Sequence, residues 1–254
     1  MLPQAISPRL ADVLSSAESI CVLTGAGVSA ESGVPTFRST GGLWEKFSPE
    51  DLARFESFIR NPDLVWEWYN YRKKILSEVA PNEGHVALAR MQDLVPDFTL
   101  VTQNVDGLHA RAGSRNVVEL HGNITRSYCI QCKLLAGEEE QATFERTPKC
   151  RTCGGLLRPD VVWFGELLPA GAFEKAMEAA HRCDVFLSVG TSGVVYPAAS
   201  IPLAARSAGA YVVEINPEYT DLSPRMNETI LGPSGKVLPH LVTILTQRHS
   251  HEST

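Results

Sequence analysis

Four of the six cysteines in this 254-residue chain form two C-x-x-C pairs, Cys129/Cys132 and Cys150/Cys153, with residues 133–149 between them. No other feature limits the fold so narrowly. Thiolates spaced this way can close a tetrahedron around one Zn²⁺ ion. Four sulfur ligands leave no open coordination position, so such a metal holds structure and activates no water. The competing assignments are two disulfides or four buried thiols. An intracellular setting argues against the disulfides. Cys21 and Cys183 sit beside or within apolar runs and are read as small buried hydrophobes.

Around this cluster the chain alternates short apolar runs with helical patterns. Ser7 and Pro8 punctuate a first helix whose Leu10, Val13, Leu14 and Ala17 share a face. Short buried strands are predicted at 20–23, 98–102, 117–120, 185–189 and 211–215, with helices after Pro197 and Pro239 among others. That alternation indicates a mostly parallel sheet covered on both faces. Two stretches interrupt it. Residues 39–90 look helical, with Ser48-Pro49 and Asn61-Pro62 as helix starts, and residues 123–165 carry the paired cysteines. Both are read as insertions that form a smaller lobe, leaving 1–38, 91–122 and 166–254 for the sheet domain.

Polar residues cluster where the predicted strands end. Gly25-Ala26-Gly27 follows the first strand and resembles a dinucleotide-binding turn, in which glycine lets backbone N–H groups approach a phosphate. The next glycine, Gly33, is at the wrong spacing for G-x-G-x-x-G, and no helix clearly follows at once. Ser29, Glu31 and Arg38 make this loop denser in polar groups than a plain turn. Gln103-Asn104-Val105-Asp106 follows the second strand, and His121 follows the third. Gly190-Thr191-Ser192 and Asn216-Pro217-Glu218 follow two more. In an open parallel sheet ligands gather at the carboxyl ends of strands, and these groups suit ribose hydroxyls and phosphate. His121 at such an end is a candidate base near working pH.

The stretch from Gly25 to Arg38, Gln103–Asp106, His121-Gly122, the paired C-x-x-C pattern and Gly190–Ser192 occur together in an order that resembles the sirtuins. Those are NAD-dependent protein lysine deacylases. The resemblance runs from the first strand to Leu241. It implies a Rossmann-like sheet domain with a small zinc-binding lobe, NAD as cosubstrate and one structural zinc. It implies that His121 acts as general base through the ribose hydroxyls, and that nicotinamide, O-acyl-ADP-ribose and free lysine are released. Cofactor contacts are expected from Gly25, Ala26, Gly27, Ser29, Ala30, Glu31, Phe37, Arg38 and Trp44. Further contacts are expected from Gln103, Asn104, Val105, Asp106, Gly190, Thr191, Ser192, Asn216, Pro217, Glu218 and Ser234. Substrate backbone is expected along Val162, Phe164, Gly165 and Glu166, opposite Gly193–Val195, through sequence-tolerant strand addition.

One charged residue refines the substrate class. On the helix that begins at Asn61-Pro62, Arg72 falls in line with Val65, Tyr69, Leu76 and Val79, where an apolar residue would be expected. A guanidinium there needs a partner, and its fork can hold a carboxylate bidentately with help from the Tyr69 hydroxyl. The Tyr69-x-x-Arg72 pair is similar to that of class III sirtuins, which prefer succinyl-, malonyl- and glutaryl-lysine. Pairing of Arg72 with Glu78, or its exposure to solvent, is the alternative. At the level of function the alternatives are a general deacetylase, an ADP-ribosyltransferase and a zinc-ribbon nucleic-acid module. A formal net charge of −6 argues against bulk capture of nucleic acid. No apolar run reaches the ~18 residues of a membrane span, and no secretory signal is recognised. A cytoplasmic monomer acting on acyl-lysine proteins is the expectation.

Overall fold

The computed structural model describes residues 6–37, 48–137 and 147–251. The Ser7 hydroxyl accepts from the Leu10 amide at 3.1 Å, and Pro8 occupies the first turn of α1 (Pro8–Ser16). The apolar run after it forms β1 (Ser19–Thr24). A single helical turn, α2 (Gly27–Ala30), follows at once, where the sequence offered no clear helix. Next come α3 (Pro49–Leu52), α4 (Phe55–Arg60), α5 (Pro62–Glu78) and α6 (Glu83–Leu94). Ser48 accepts from the Asp51 amide (3.3 Å) and Asn61 from the Leu64 amide (3.2 Å), as their positions before proline imply. β2 (Asp97–Thr102), α7 (Leu108–Arg111), β3 (Val118–Glu119), β4 (Gly122–Cys129) and β5 (Leu157–Val161) lead to α8 (Ala172–Arg182). β6 (Val185–Val189), α9 (Ile201–Ser207), β7 (Tyr211–Asn216), β8 (Glu228–Leu231) and α10 (Ser234–His251) complete the order. α10 starts ahead of Pro239 rather than after it. A proline close to a helix start removes few backbone hydrogen bonds, so it is tolerated there.

The large sheet runs β3-β2-β1-β6-β7-β8 with every pair parallel. Strand order reverses between β1 and β6, and the crevice at their carboxyl ends is where such sheets bind ligands. Both faces are covered. Val185, Leu187 and Val189 of β6 pack into a core with α1, α6 and α10, through Leu10, Leu88, Met91 and Leu241. Phe186, between them, points the other way into a core with Ala176 and Ala180 of α8 and Ile201 and Ala205 of α9. This two-residue alternation between two dry faces is why the strands read as unbroken apolar runs.

β4 and β5 pair antiparallel, apart from the large sheet. They share a third core with α4 and α5, in which Phe58, Val65, Trp66, Trp68 and Tyr69 meet Ile124, Leu157 and Val161. The two interrupting stretches therefore pack together. α6 does not join them: its Ala87 and Leu88 lie in the sheet's core, although they fall within the expected helical insertion 39–90. α5 is tied to its surroundings along its length. Asp63 accepts from the Thr147 amide (2.9 Å), the Trp66 indole donates to the Leu157 carbonyl (2.9 Å), and Arg111 donates to the carbonyls of Leu76 (2.9 Å) and Val79 (2.5 Å). Among the described residues no helix is long and apolar enough to cross a membrane.

At the switch point the loops after β1 and β6 cross with their backbones in contact. The Gly27 amide donates to the Gly190 carbonyl (2.8 Å) and the Gly25 amide to the Val189 carbonyl (3.0 Å). A Cβ on Gly25 would lie 2.7 Å from the Gly190 oxygen, and one on Gly27 would lie 2.7 Å from the Gly190 Cα. Gly190 itself has φ +61°, and a Cβ there would strike the Val28 amide nitrogen and sit 2.7 Å from the Gly27 carbonyl carbon. Gly190→Ala should therefore cost roughly 2–5 kcal/mol, combining left-handed strain with overpacking. Gly171→Ala, at φ +75° with nothing within 4 Å of its Cβ position, should pay the conformational part alone. Urea denaturation of the two variants separates the contributions. Equal small losses would show that the crossing tolerates a side chain.

Candidate functional site

Four strand ends are laced together above the sheet. After β3, His121 Nδ1 lies 3.0 Å from the Gln103 carbonyl oxygen, which follows β2. The Gln103 side-chain amide donates to Thr191 Oγ1 (3.0 Å) beyond β6, and Asn216 at the end of β7 donates to the Thr191 carbonyl (2.8 Å). A carbonyl can only accept, so the His121 proton resides on Nδ1, and Nε2 carries a lone pair with no partner among the described residues. Burial lowers the pKa of His121 below its ordinary value, and the bond to Gln103 opposes that shift in part. The ring is thus a neutral, oriented base.

A second network lies beneath, its side chains Ser29, His85, Asn104, Asp106 and His109 all buried. The Asn82 amide donates to His85 Nδ1 (3.3 Å), which places the His85 proton on Nε2, 3.3 Å from Ser29 Oγ. Ser29 Oγ donates to Asp106 Oδ2 (2.7 Å) and accepts from Asn104 Nδ2 (3.2 Å). With one donor and two acceptor positions filled, this hydroxyl has no capacity left for a ligand. Its work is to hold the two residues that do face the cleft. Asn104 spends its amide protons on Ser29 and on the Gly25 carbonyl (3.0 Å), leaving its amide oxygen free to accept. Asp106 is steadied further by the Leu108 amide (2.9 Å). Behind them His109 packs 4.9 Å from the His85 ring, and its Nε2 lies 2.9 Å from Thr24 Oγ1. Burial, then the neighbouring His85, push the His109 pKa down to about 3, so the pair stays neutral.

Ala26, Ser29, Val34, Pro35 and Phe37 face Arg72, Ile75, Leu76 and Asn104–Asp106 across a cleft of ≈ 470 Å³, its open mouth included. α5 delivers Arg72 to that cleft. Its guanidinium carbon stands 5.0 Å from the Phe37 ring, 5.8 Å from Trp68 and 5.7 Å from Tyr69. No carboxylate pairs with it among the described residues, and Glu78 is exposed. Burial lowers its pKa, opposed by Tyr69 and Asp106.

In the small lobe the Sγ atoms of Cys129, Cys132, Cys150 and Cys153 all lie within 4.8 Å of one another. Cys129 and Cys153 approach to 3.4 Å, and Cys132 and Cys150 to 3.7 Å. A zinc tetrahedron with ordinary Zn–S bonds has edges of ~3.8 Å, so the four thiols fit one ion. Cys21 and Cys183 are buried elsewhere, as expected of apolar packing.

These features meet in one known architecture. Residues 25–197 match the family model described as Sir2 family. The chain belongs to the Sir2 family. It is 55% identical over 205 residues to an NAD-dependent protein deacylase of Aquifex aeolicus (strain VF5), covering 81% of this chain and 86% of that one. It is 53% identical over 240 residues to NAD-dependent protein deacylase 2 of Pyrobaculum aerophilum, covering 94% and 96%. Among solved structures it resembles a Sir2 homologue–NAD complex, with TM-score 0.90, 42% identity and coverage of 97% and 96%.

As a Sir2 protein the chain meets the demands of NAD on several counts. The crevice lies at the switch point, the glycine crossing keeps side chains out of it, and Asn104 offers a free acceptor. The other expected contacts divide. Thr191 and Asn216 join the belt, while Ser192, Pro217 and Glu218 stand exposed at its outer edge. Glu31 and Ser234 bind each other: Glu31 accepts from the Gly235 amide (2.7 Å) and the Ser234 hydroxyl (3.3 Å), capping α10. Ala30 is exposed on α2. Arg38 and Trp44 lie outside the described residues. Along 162–166, Phe164 and Gly165 are exposed, but the Glu166 carboxylate is engaged by Arg158 and by the Trp163 amide (2.8 Å).

Sequence reasoning overlooked His85, His109 and Trp163 in this Sir2 site. No local spacing marks the two histidines, whose partners lie on other elements. Trp163 stands between Val162 and Phe164 in the expected substrate segment, and nothing in the local sequence ties its side chain to Tyr69. For the metal the expectation is one zinc per chain by elemental analysis. Under native conditions the four clustered thiols should react with a thiol reagent only after chelation, with a fall in Tm. Metal-free protein whose four thiols titrate at once would contradict the assignment.

Proposed function

We propose that this Sir2 protein is an NAD-dependent protein-lysine deacylase that favours acidic acyl groups: succinyl, malonyl and glutaryl, with acetyl removed more weakly. One observation carries the acyl preference: a largely buried guanidinium in the cleft, surrounded by aromatic faces and paired with no carboxylate of the described residues. Aromatic faces compensate a desolvated cation only in part. An acyl chain ending in a carboxylate supplies what is missing, and an acetyl group supplies nothing. The Tyr69 hydroxyl beside Arg72 adds a neutral donor to the same acceptor.

Bound NAD supplies an activated anomeric carbon with nicotinamide as leaving group. The chain's own residues organise that centre. Asn104, with its amide oxygen left free by the bonds its amide protons make, would accept from a ribose hydroxyl, and Asp106, held by Ser29, would help form the nicotinamide pocket. His121 takes a ribose hydroxyl proton on Nε2 while Nδ1 stays anchored to Gln103. The acyl-lysine peptide lies between 162–166 and Gly193–Val195, held by backbone hydrogen bonds that tolerate many sequences. Four thiolates close the zinc site, so the metal takes no part in the chemistry. The protein works as a cytoplasmic monomer without nucleic acid.

Arg72→Met should lower kcat/KM for a succinyl-peptide roughly 30- to 150-fold, the loss of a charge-assisted pair, and for the matched acetyl-peptide only a few-fold. Equal losses would refute the acidic preference. His121→Tyr should stop turnover of both peptides with zinc retained. In the parent enzyme His121 works as the neutral base, so protonation inactivates it as pH falls through its pKa. Burial lowers that pKa in the free enzyme, so the acid limb of kcat/KM should lie below pH 6.5. An acid limb above that value would remove His121 as the base.

A further inference from the structure

Trp163 joins two parts of the site that the sequence treats separately. Its backbone lies in the 162–166 segment, where the amide donates to Glu166 Oε2 (2.8 Å). Glu166 is held by Arg158, whose second nitrogen also donates to it (2.8 Å) and to the Val161 carbonyl (2.8 Å). The guanidinium carbon of Arg158 lies 3.5 Å over the Trp163 ring, and Phe58 packs 5.3 Å away at the ring centroid. The indole is therefore fixed on both sides and is 2% exposed. From that position its N–H donates to the Tyr69 phenol oxygen at 2.8 Å, between rings 6.5 Å apart.

This bond decides what Tyr69 can do. A phenol O–H prefers the plane of its ring, where it has two orientations. The indole N–H occupies one of them as a donor, so the Tyr69 proton turns to the other, away from Trp163. No acceptor takes that proton among the described residues, and Tyr69 is 1% exposed. A buried O–H left without an acceptor is a standing demand for one. Arg72, 5.7 Å from the same ring, makes the same demand. Two donors with no acceptor between them suit a ligand group that only accepts.

We propose that Trp163 is a positioning residue for acyl selectivity: its indole N–H sets the Tyr69 hydroxyl as a donor beside Arg72, so that the two bind one acyl carboxylate. This rests on the acidic-acyl preference proposed above. Removing the N–H lets the Tyr69 proton turn toward the vacated side, and the carboxylate loses an oriented donor. Acetyl-lysine, with no carboxylate to place, is affected less.

The test measures kcat/KM on matched succinyl- and acetyl-peptides for the parent, Trp163→Phe, Tyr69→Phe, the double variant and Arg72→Met. Trp163→Phe should lower the succinyl-to-acetyl ratio about tenfold, mainly through KM for the succinyl-peptide. In the Tyr69→Phe background the same change should leave the ratio unaltered, because the hydroxyl it orients is gone. Should Trp163→Phe fold poorly, 3-benzothienylalanine at that position keeps the bicyclic shape, replaces N–H by sulfur and should give the same drop. Equal losses on both peptides, or an undiminished effect in the Tyr69→Phe background, would assign Trp163 to packing alone and overturn the proposal. If Arg72→Met leaves the ratio unchanged, the acidic preference itself fails and the proposal falls with it. If Arg72→Met collapses the ratio while the Trp163 variants preserve it, only the positioning role is lost.

Discussion

Everything above the sheet depends on two loops that touch backbone to backbone. The turn after β1 and the turn after β6 cross at Gly25, Gly27 and Gly190, closely enough that a Cβ on any of them would meet main-chain atoms. Because no side chain intervenes, the carboxyl ends of β1 and β6 stand at one level. The loops from β2, β3 and β7 can then be laced to them through Gln103, Thr191 and Asn216. His121 owes its tautomer to that lacing, since the Gln103 carbonyl that fixes Nδ1 is part of it. The same crossing leaves Ser29 just inside the rim, where it holds Asn104 and Asp106.

The small lobe answers a different physical problem. It delivers a cation to a cleft that also carries Asn104 and Asp106, and keeps it there. α5 is held by bonds to Thr147, Leu157 and Arg111, and Arg72 projects from it against Phe37, Trp68 and Tyr69. The zinc cysteines belong to the same core, since Cys129 and Cys150 pack with Trp66 and Tyr69. A zinc ion held by those cysteines would thereby stiffen the wall that carries Arg72. A buried charge without a partner is unstable on its own, and it persists where the surrounding packing over-determines it. Such positions are drawn from binding sites.

What the sequence revealed followed from how local each signal is. The C-x-x-C spacing, the caps at Ser7, Ser48 and Asn61, and the apolar run 185–189 depend on neighbouring residues, and each appears where it was expected. Arg72 was legible because a cation on an apolar helix stripe breaks a pattern. β8 was missed: it is four residues long with Ile230 as its one fully buried member. β4 and β5 were hidden within the cysteine segment, where zinc spacing dominates the pattern. The glycines after β1 were read as room for a phosphate, whereas the structure uses them first as room for Gly190. Their partner lies far along the chain, beyond any local motif. The same distance concealed His85 from Ser29 and Trp163 from Tyr69.

The acidic-acyl preference is what most needs a direct observation. A crystal structure with a succinyl-lysine peptide bound supplies it. The expected result is the succinyl carboxylate bridging the Arg72 guanidinium and the Tyr69 hydroxyl at ~2.7–2.9 Å, the distances of charge-assisted hydrogen bonds. A carboxylate turned to solvent, with Arg72 still stacked on its aromatic neighbours, would contradict it.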